Sequence, residues 1–274
     1  MTLLKYTIFF CTIFFTITTD AKISMQNLQN SVSHFFNKNK QETVLFQEFK
    51  DVRTLELLCQ HGNISIHTWK QPTTVVEIKK TGVSTEQTTN TVDFIHYEHL
   101  LQIKPITQDK KSAIITDITI IVPEQTSIKI SNKKGNICIK NLDGTIEAHT
   151  HYGNIEVVDG SHNATVHSDH GNIVIQRESM HHTDTIKATT DQGSITLQVP
   201  QHINSTVQAS TKSGKIYSDL FVTLESKTTK LTDVVYKQQK QELKGTIYND
   251  YDASMAGIII LETKQGTIKI KNHI

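Results

Sequence analysis

Polar and apolar residues alternate along most of the chain after residue 42, in short runs that end at glycine. Residues 146–150 (IEAHT) and 155–157 (IEV) are two such runs. A period of two is typical of a β-strand that buries one side and exposes the other. The same region has no long stripe with the 3.6-residue period of an amphipathic helix. The pattern therefore predicts an all-β fold.

A Gly-x-Ile triplet repeats along the chain and uses nine of its twelve glycines. The triplets begin at Gly62, Gly135, Gly144, Gly153, Gly171, Gly193, Gly214, Gly245 and Gly266. From Gly135 onward the glycines lie 9, 9, 18, 22, 21, 31 and 21 residues apart. Short strands at such spacing cannot each enclose a core, but units stacked on one another can share one. The repeat predicts a single-stranded β-solenoid, or β-helix, with an irregular N-terminal cap.

Aligning the triplets on their glycine reveals two kinds of column. Isoleucine always stands two positions after the glycine, and an apolar residue usually stands five positions before it. These positions predict one buried column of apolar side chains. A polar residue stands three positions before the glycine, at Asn132, Thr150, Ser168, Thr190, Thr211 and Thr263. We expect these side chains to stack near a corner and to bond one another or the turn backbone. A row of ligand-binding groups is the alternative.

The N-terminus has the order of a secretory signal peptide. Lys5 precedes an apolar run at residues 7–17, and Thr19 and Ala21 supply small residues before a cleavage point after Ala21. The run is shorter than the roughly 20 apolar residues that a membrane-spanning helix needs, and an uncleaved N-terminal anchor is the alternative. We predict a signal peptide at residues 1–21, a polar leader at 22–42 that is helical or disordered, and the solenoid at 43–274. Residues 43–122 are expected to cap the stack, and residues 123–274 to form its regular repeats.

Composition argues against nucleic acid as a partner. The formal net charge is +1, and only Arg53 and Arg177 are arginines, whereas phosphate and base recognition relies on positive charge and arginine.

Removal of residues 1–21 leaves two cysteines, Cys59 and Cys138. In an oxidising compartment they can form a disulfide. Two unpaired, partly buried thiols are the alternative.

Two segments share an order of motifs that is known from a protein family. Residues 118–137 (ITIIVPEQTSIKISNKKGNI) and 194–216 (SITLQVPQHINSTVQASTKSGKI) both run from an apolar strand through Val-Pro and a polar turn to a second strand and Gly-x-Ile. This order resembles the bacterial candidate adhesin domains of unknown function, and it is similar to the head domains of candidate autotransporter adhesins. The resemblance covers residues 43–274 and implies a β-solenoid on an exported protein. Such repeats commonly carry aspartate at a position where this chain has Asn136, Asn154 and Asn172. The asparagines argue against calcium sites formed by stacked aspartates.

Histidine is frequent, with fourteen in the chain. His149 and His167 occupy the position four before glycine, and His151 and Asp169 the position two before it, in consecutive units. Alternation places all four side chains on the outward face, and stacked strands lie only about 4.8 Å apart. They can therefore supply the nitrogen and carboxylate ligands of a zinc or other transition-metal site. We expect these residues to be exposed side chains that bind no metal. If the chain does bind a metal, these four residues are the candidate ligands.

No catalytic motif is present, so we expect a protein that is not an enzyme and needs no cofactor. The leading hypothesis is an exported envelope, surface or secreted protein that uses its polar strand faces in adhesion or as a scaffold. Its partner would be a glycan or an envelope or host protein. The alternatives are an enzyme that processes extracellular polysaccharide, which needs carboxylates within about 5–10 Å of each other, and a metal-binding surface. We interpret the following carboxylates as ordinary surface charge: Asp143, Glu147, Glu156 and Asp159.

Overall fold

The computed structural model describes residues 32–37, 40–82, 92–105, 115–160, 162–201, 203–224, 241–247 and 256–273. These residues form β-strands joined by turns and loops, with no helix among them, which confirms the predicted all-β fold. It follows that no helix within the described ranges is long and apolar enough to span a bilayer. The predicted signal peptide at residues 1–21 lies outside the described residues.

The strands build two mixed sheets of eleven strands each. Sheet A has the order β1-β2-β5-β8-β4-β10-β12-β14-β16-β22-β18, and sheet B the order β19-β20-β17-β21-β15-β13-β11-β9-β3-β7-β6. The strand bounds are β1 Val32–Asn37, β2 Lys40–Lys50, β3 Thr54–His61, β4 Ile64–Trp69, β5 Thr73–Gly82, β6 Val92–Tyr97, β7 Leu100–Pro105, β8 Ile115–Pro123, β9 Ser127–Lys134, β10 Ile137–Leu142, β11 Ile146–Tyr152, β12 Ile155–Gly160, β13 Asn163–His170, β14 Ile173–Gln176, β15 Thr185–Gln192, β16 Ile195–Val199, β17 Ser205–Ser213, β18 Ile216–Ser218, β19 Thr223–Leu224, β20 Gln241–Ile247, β21 Gly257–Gln265 and β22 Ile268–Asn272.

Successive strands from β9 to β16 alternate between the sheets, with the odd-numbered strands in sheet B and the even-numbered ones in sheet A. We call a sheet B strand together with the sheet A strand that follows it a layer. Neighbouring layers pair in parallel and in register, so that Ile137 lies beside Ile155 and Ile155 beside Ile173. Every repeat position therefore forms a column that runs through the stack.

One continuous hydrophobic core contains residues of both sheets. The isoleucines of the central triplets, such as Ile155 and Ile195, are fully buried on the sheet A side, and smaller residues such as Ala148 and Ala188 are buried on the sheet B side. Burial of each large aliphatic side chain stabilises the fold by about 1.5–3 kcal/mol. The predicted buried column of apolar side chains is confirmed, and it gives neighbouring layers a shared interior.

The glycines form the corner at which the chain passes from sheet B to sheet A. An added Cβ at Gly153 would lie 2.0 Å from the carbonyl oxygen of Gly135 in the neighbouring layer. The corresponding distance is 1.8–2.0 Å at seven stacked triplets, which are those of Gly62, Gly135, Gly153, Gly171, Gly193, Gly266 and Gly214. The remaining two triplets are not equivalent, because Gly144 lies at the opposite corner, before β11, and Gly245 lies inside β20.

The polar column three positions before each glycine lies at the same corner, where it bonds the turn backbone. Ser168 Oγ donates to the carbonyl oxygen of Gly153 at 2.8 Å, and Thr190 Oγ1 donates to that of Gly171 at 3.0 Å. The same bond, at 2.9–3.1 Å, is made by Asn132, Thr150, Thr211 and Thr263. All six side chains are buried. Their role is therefore structural, and they do not form the alternative row of ligand-binding groups.

The layers depart from chain order at both ends of the stack. Layer β3–β4 lies between β7–β8 and β9–β10, and layer β21–β22 lies between β15–β16 and β17–β18. The connections that step over these inserted layers follow Val122-Pro123 and Val199-Pro200. Proline has no amide hydrogen to donate, which suits a residue at which the chain leaves a sheet. The sequential stack expected for residues 123–274 thus continues in order only as far as Val199.

Antiparallel strands cover three of the four sheet ends. Sheet A is extended beyond β8 by β5, β2 and β1. At one end of sheet B, β6 pairs with β7. At the opposite end of sheet B, β20 pairs with β17, and β19 pairs with β20. Residues 32–37 and 40–42 are strands, although the sequence suggested a helical or disordered leader. The difference arises because β1 pairs with β2, and β2 in turn pairs with β5 from Gln41 to Lys50.

Replacement of Gly153 by alanine should strongly destabilise the stack. The new methyl group would overlap the Gly135 carbonyl, and Gly153 has a φ of +155°, so we expect a loss of about 3 kcal/mol or more in the free energy of unfolding. Urea unfolding followed by circular dichroism measures this. Thr165→Ala, at an exposed position of β13, is the control; an equal loss in both variants would contradict the role of the corner.

Replacement of Thr190 by valine tests the corner hydrogen bond. Valine keeps the shape of the side chain but leaves the Gly171 carbonyl without the donor that Thr190 supplies, which should cost about 1–3 kcal/mol in unfolding free energy. Thr190→Ser retains the hydroxyl and should recover most of that loss. If valine and serine were equally stable at this position, the hydrogen bond would have no energetic role.

Candidate functional site

The four metal candidates converge on the outward face of sheet B. His149 and His151 lie on β11, and His167 and Asp169 lie on β13. The register pairs His149 with His167, and their rings stack with centroids 5.0 Å apart and 20° between the planes. The Nε2 atoms of His149 and His167 lie 3.2 and 2.7 Å from Oδ1 of Asp169, and Nδ1 of His151 contacts Oδ2. One carboxylate therefore contacts three imidazole rings.

The carboxylate at the centre of this cluster is ionised at physiological pH. Burial raises the pKa of Asp169, but hydrogen bonds from His151, His149 and His167 outweigh that effect and bring the pKa down to about 2. The Asp169 side chain is 26% exposed and the three imidazoles are 36–44% exposed. The cluster thus combines a negative charge with ring nitrogens at a surface that solvent can reach.

Further rings and polar groups surround the cluster in the same columns. Thr189 Oγ1 lies 2.7 Å from Nδ1 of His167, the ring nitrogen opposite the one that faces Asp169. Tyr152 stacks on His170 at 4.8 Å with 10° between the rings. The sequence analysis missed this pair, although Tyr152 and His170 both directly precede a repeat glycine. That shared position was the signal that could have revealed their contact.

A shallow groove of about 460 Å³ borders the cluster on the side of β7, β3 and β9. The groove is lined by His149, His151, Lys104 and Lys133, and also by Leu58, which is 52% exposed. The groove therefore combines an apolar contact surface with exposed positive charge. It could not be anticipated from the sequence, because it depends on the insertion of layer β3–β4.

A second set of titratable groups lies where β12, β14 and β22 end. The ligand atoms of Asp159, Glu178 and His273 lie within 4.8 Å of one another. Burial lowers the pKa of the neighbouring Arg177 to about 10, while the charges of Asp184 and Asp159 act to raise it. Asp159 therefore balances a buried guanidinium and is not the ordinary surface charge expected from the sequence. The burial of Arg177, which is 3% exposed, was also missed.

The two cysteines of the described chain are free and lie on different sheets. Cys59 occupies the corner column of layer β3–β4, and its thiol donates to the carbonyl oxygen of Thr116 at 3.8 Å. Burial raises the pKa of Cys59 to about 11. Cys138 lies on the outward side of β10, where burial and then the charge of Glu156 raise its pKa as well. The alternative of two unpaired thiols thus describes this structure.

The two thiols should differ in their reaction with an alkylating agent. In the folded chain at pH 7.5, iodoacetamide should modify Cys138 and leave Cys59 unmodified, because Cys59 is 3% exposed and its thiolate is strongly disfavoured. Peptide mass spectrometry locates the modified residue. After unfolding without reductant both should react, and a cysteine that stayed protected under those conditions would reveal a disulfide.

Comparison with known proteins places the chain beside proteins named for adhesion. No family model matches the chain, and no curated protein matches it significantly. It is similar to a candidate cell adhesion protein from Clostridium sporogenes, at 12% identity and a TM-score of 0.44, over 85% of this chain and 100% of that one. It is also similar to a candidate adhesin from Bacteroides fragilis, at 14% identity and a TM-score of 0.40, over 84% and 97% of the two chains. At these values the likenesses assign neither a family nor a function to the chain.

Proposed function

We propose that this protein is an exported, non-enzymatic β-solenoid that serves in adhesion or as a scaffold at a cell envelope or surface. Its binding surface is the outward face of sheet B, and its partner is an acidic glycan. The observation that carries the proposal is the in-register arrangement of polar side chains along this face, described below.

The pairing of the layers supports the solenoid. From β9 to β16 the chain alternates between two sheets and advances by one layer at each turn. Each of these strands pairs in parallel with its counterparts in the neighbouring layers. Layers of this kind bury their apolar sides against one another and present long, regular outer faces. Such faces are suited to extended partners.

Three largely polar columns cross the outward face of sheet B, of which the first continues to Ile260 and the second to Leu58. They consist of Glu56, Lys129, Glu147, Thr165 and Lys187; of Ser131, His149, His167, Thr189 and Glu262; and of Lys134, Tyr152, His170, Gln192 and Gln265. Neighbours within a column are about 4.8 Å apart, since that is the spacing of paired strands. A polymer with a repeating polar unit would meet polar groups at regular intervals, so that many weak contacts would act together.

The groove beside β3 favours an acidic glycan over a neutral one. Lys104 and Lys133 are exposed along it, and Leu58 provides apolar surface between polar groups. A sugar ring offers carbon–hydrogen surface to the leucine, while a carboxylate or sulfate group would pair with the lysines. Pockets that combine apolar lining with a few placed polar groups are typical of ligand sites.

The alternative of a polysaccharide-processing enzyme has one observation in its favour. The carboxylates of Asp159 and Glu178 approach within 4.8 Å, comparable to the separation of about 5–5.5 Å in glycosidases that act through a covalent intermediate. Incubation of the chain with acidic polysaccharides, followed by a reducing-end assay, tests this alternative. Turnover that Glu178→Gln abolishes would establish the enzyme and overturn the proposed function.

Glycan-array binding and pull-down of the purified chain test the proposal directly. Lys104→Glu combined with Lys133→Glu should reduce retention of acidic glycans at least ten-fold, because it reverses both positive charges at the groove. The matched control is Lys140→Glu combined with Lys269→Glu on the outward side of sheet A, which changes the net charge equally and should retain the glycan.

Three outcomes would contradict the proposal. The array and the pull-down could retain no glycan, the two double variants could lose binding equally, or the partner captured could be a protein whose binding is insensitive to Lys104 and Lys133. Raising the salt concentration should weaken the expected binding, because the charges involved are exposed.

A further inference from the structure

We propose that His149, His167 and Asp169 form a zinc site on the outward face of sheet B, with a fourth coordination position open to solvent. This inference does not depend on glycan binding, although His149 and His167 also belong to the second polar column of that face. It rests on the placement of donor atoms on β11 and β13, together with the groups that orient them.

The donor atoms lie at separations close to those of a metal site. The ligand atoms of the three residues are all within 4.8 Å of one another. Zinc binds imidazole nitrogen and carboxylate oxygen at about 2.0–2.2 Å in a tetrahedron, which places its donors roughly 3.3 Å apart. Nε2 of His149 is 3.2 Å and Nε2 of His167 is 2.7 Å from Oδ1 of Asp169. Small rotations of these side chains therefore suffice to admit the ion.

The backbone beneath the site is held on both sides. β11 lies between β9 and β13, and β13 lies between β11 and β15, all in parallel register. The pairing of His149 with His167 and the stacking of their rings direct both Nε2 atoms to the same carboxylate oxygen. Donor atoms carried by paired strands keep their positions better than donor atoms on loops.

Two further groups orient the ligands. Thr189 Oγ1, at 2.7 Å from Nδ1 of His167, can accept its hydrogen and leave the lone pair on Nε2 for the metal. His151 contacts Oδ2 of Asp169, the oxygen that is not shared by the other two histidines. Metal-binding histidines and carboxylates generally have partners of this kind. His151 is thus a positioning residue in the proposed site.

The chemistry of the donor set selects the class of metal. Two imidazoles and a carboxylate suit zinc and the transition metals copper, nickel and iron, whereas calcium prefers six to eight oxygen ligands. Three protein ligands leave one position for water or for a group of a bound partner, as in zinc sites with an open position. The imidazole side chains of His149 and His167 are 44% and 36% exposed, so that zinc can enter from solvent.

Calorimetric titration of the untagged full-length chain with zinc chloride tests the site. We expect one zinc ion per chain, an increase in the melting temperature, and visible absorption bands when cobalt replaces zinc. His149→Ala, His167→Ala and Asp169→Asn should each lower zinc affinity at least 100-fold and abolish the cobalt bands. His151→Ala should lower the affinity about ten-fold, as expected for a group that orients a ligand.

His162→Ala is the matched control, because His162 Nδ1 lies 2.9 Å from Asp184 Oδ1 in a histidine–aspartate pair outside the proposed site. This variant should bind zinc with unchanged affinity. Circular dichroism confirms that each variant is folded before its titration is interpreted. The proposal is overturned if the unaltered chain binds no zinc, if the ligand variants bind it as tightly as the unaltered chain, or if His162→Ala loses as much affinity as they do.

Discussion

The contact between a corner glycine and the backbone of the neighbouring layer is the constraint on which this structure depends. Gly153 lies against the carbonyl oxygen of Gly135 so closely that a Cβ atom has no space. Its own carbonyl accepts the Ser168 hydroxyl, and its amide donates to the carbonyl oxygen of His170 at 3.0 Å. One residue therefore allows the layers to approach to hydrogen-bonding distance and satisfies polar groups of the turn. The regular columns of both sheets follow from its repetition.

A second series of bonds on the outside of the corner explains why asparagine recurs in the triplets. The side-chain oxygen of Asn136 accepts from the amide of Asn154 at 2.8 Å, and that of Asn154 accepts from the amide of Asn172 at the same distance. An asparagine side chain can accept this bond without adding a negative charge to each layer, whereas a stack of aspartates would repel one another. The position that distinguishes these repeats from aspartate-rich ones is thus a structural ladder.

The register of this fold could be predicted from sequence, but the order of its layers could not. Glycine alignment identified the buried isoleucines and the polar corner column, because parallel pairing turns a shared repeat position into a contact. The same alignment cannot show that β21–β22 is inserted beside β15–β16, since Thr263 and Gly266 fit the corner pattern as well as Thr190 and Gly193 do. Layer order is decided by contacts between distant segments, and only the two Val-Pro connections mark it locally.

The same distinction applies to the functional surface. His149 and His167 could be paired from their common repeat position, and so could His151 with Asp169, because these residues belong to consecutive layers. The groove could not be anticipated, because Lys104 on β7 and Lys133 on β9 line it from the two sides of the inserted strand β3. Arg177 was missed for another reason: arginine is rarely buried, and its partner Asp184 lies in the longer connection that follows β14.

The inserted position of β21–β22 has a mechanical consequence. A force applied along β22 acts on a strand that is hydrogen-bonded to β16 on one side and to β18 on the other. Its bonds are loaded together in shear, and on both edges, whereas a strand at the end of a stack can peel away one bond at a time. A chain pulled through this segment would therefore resist the force until whole ladders break at once.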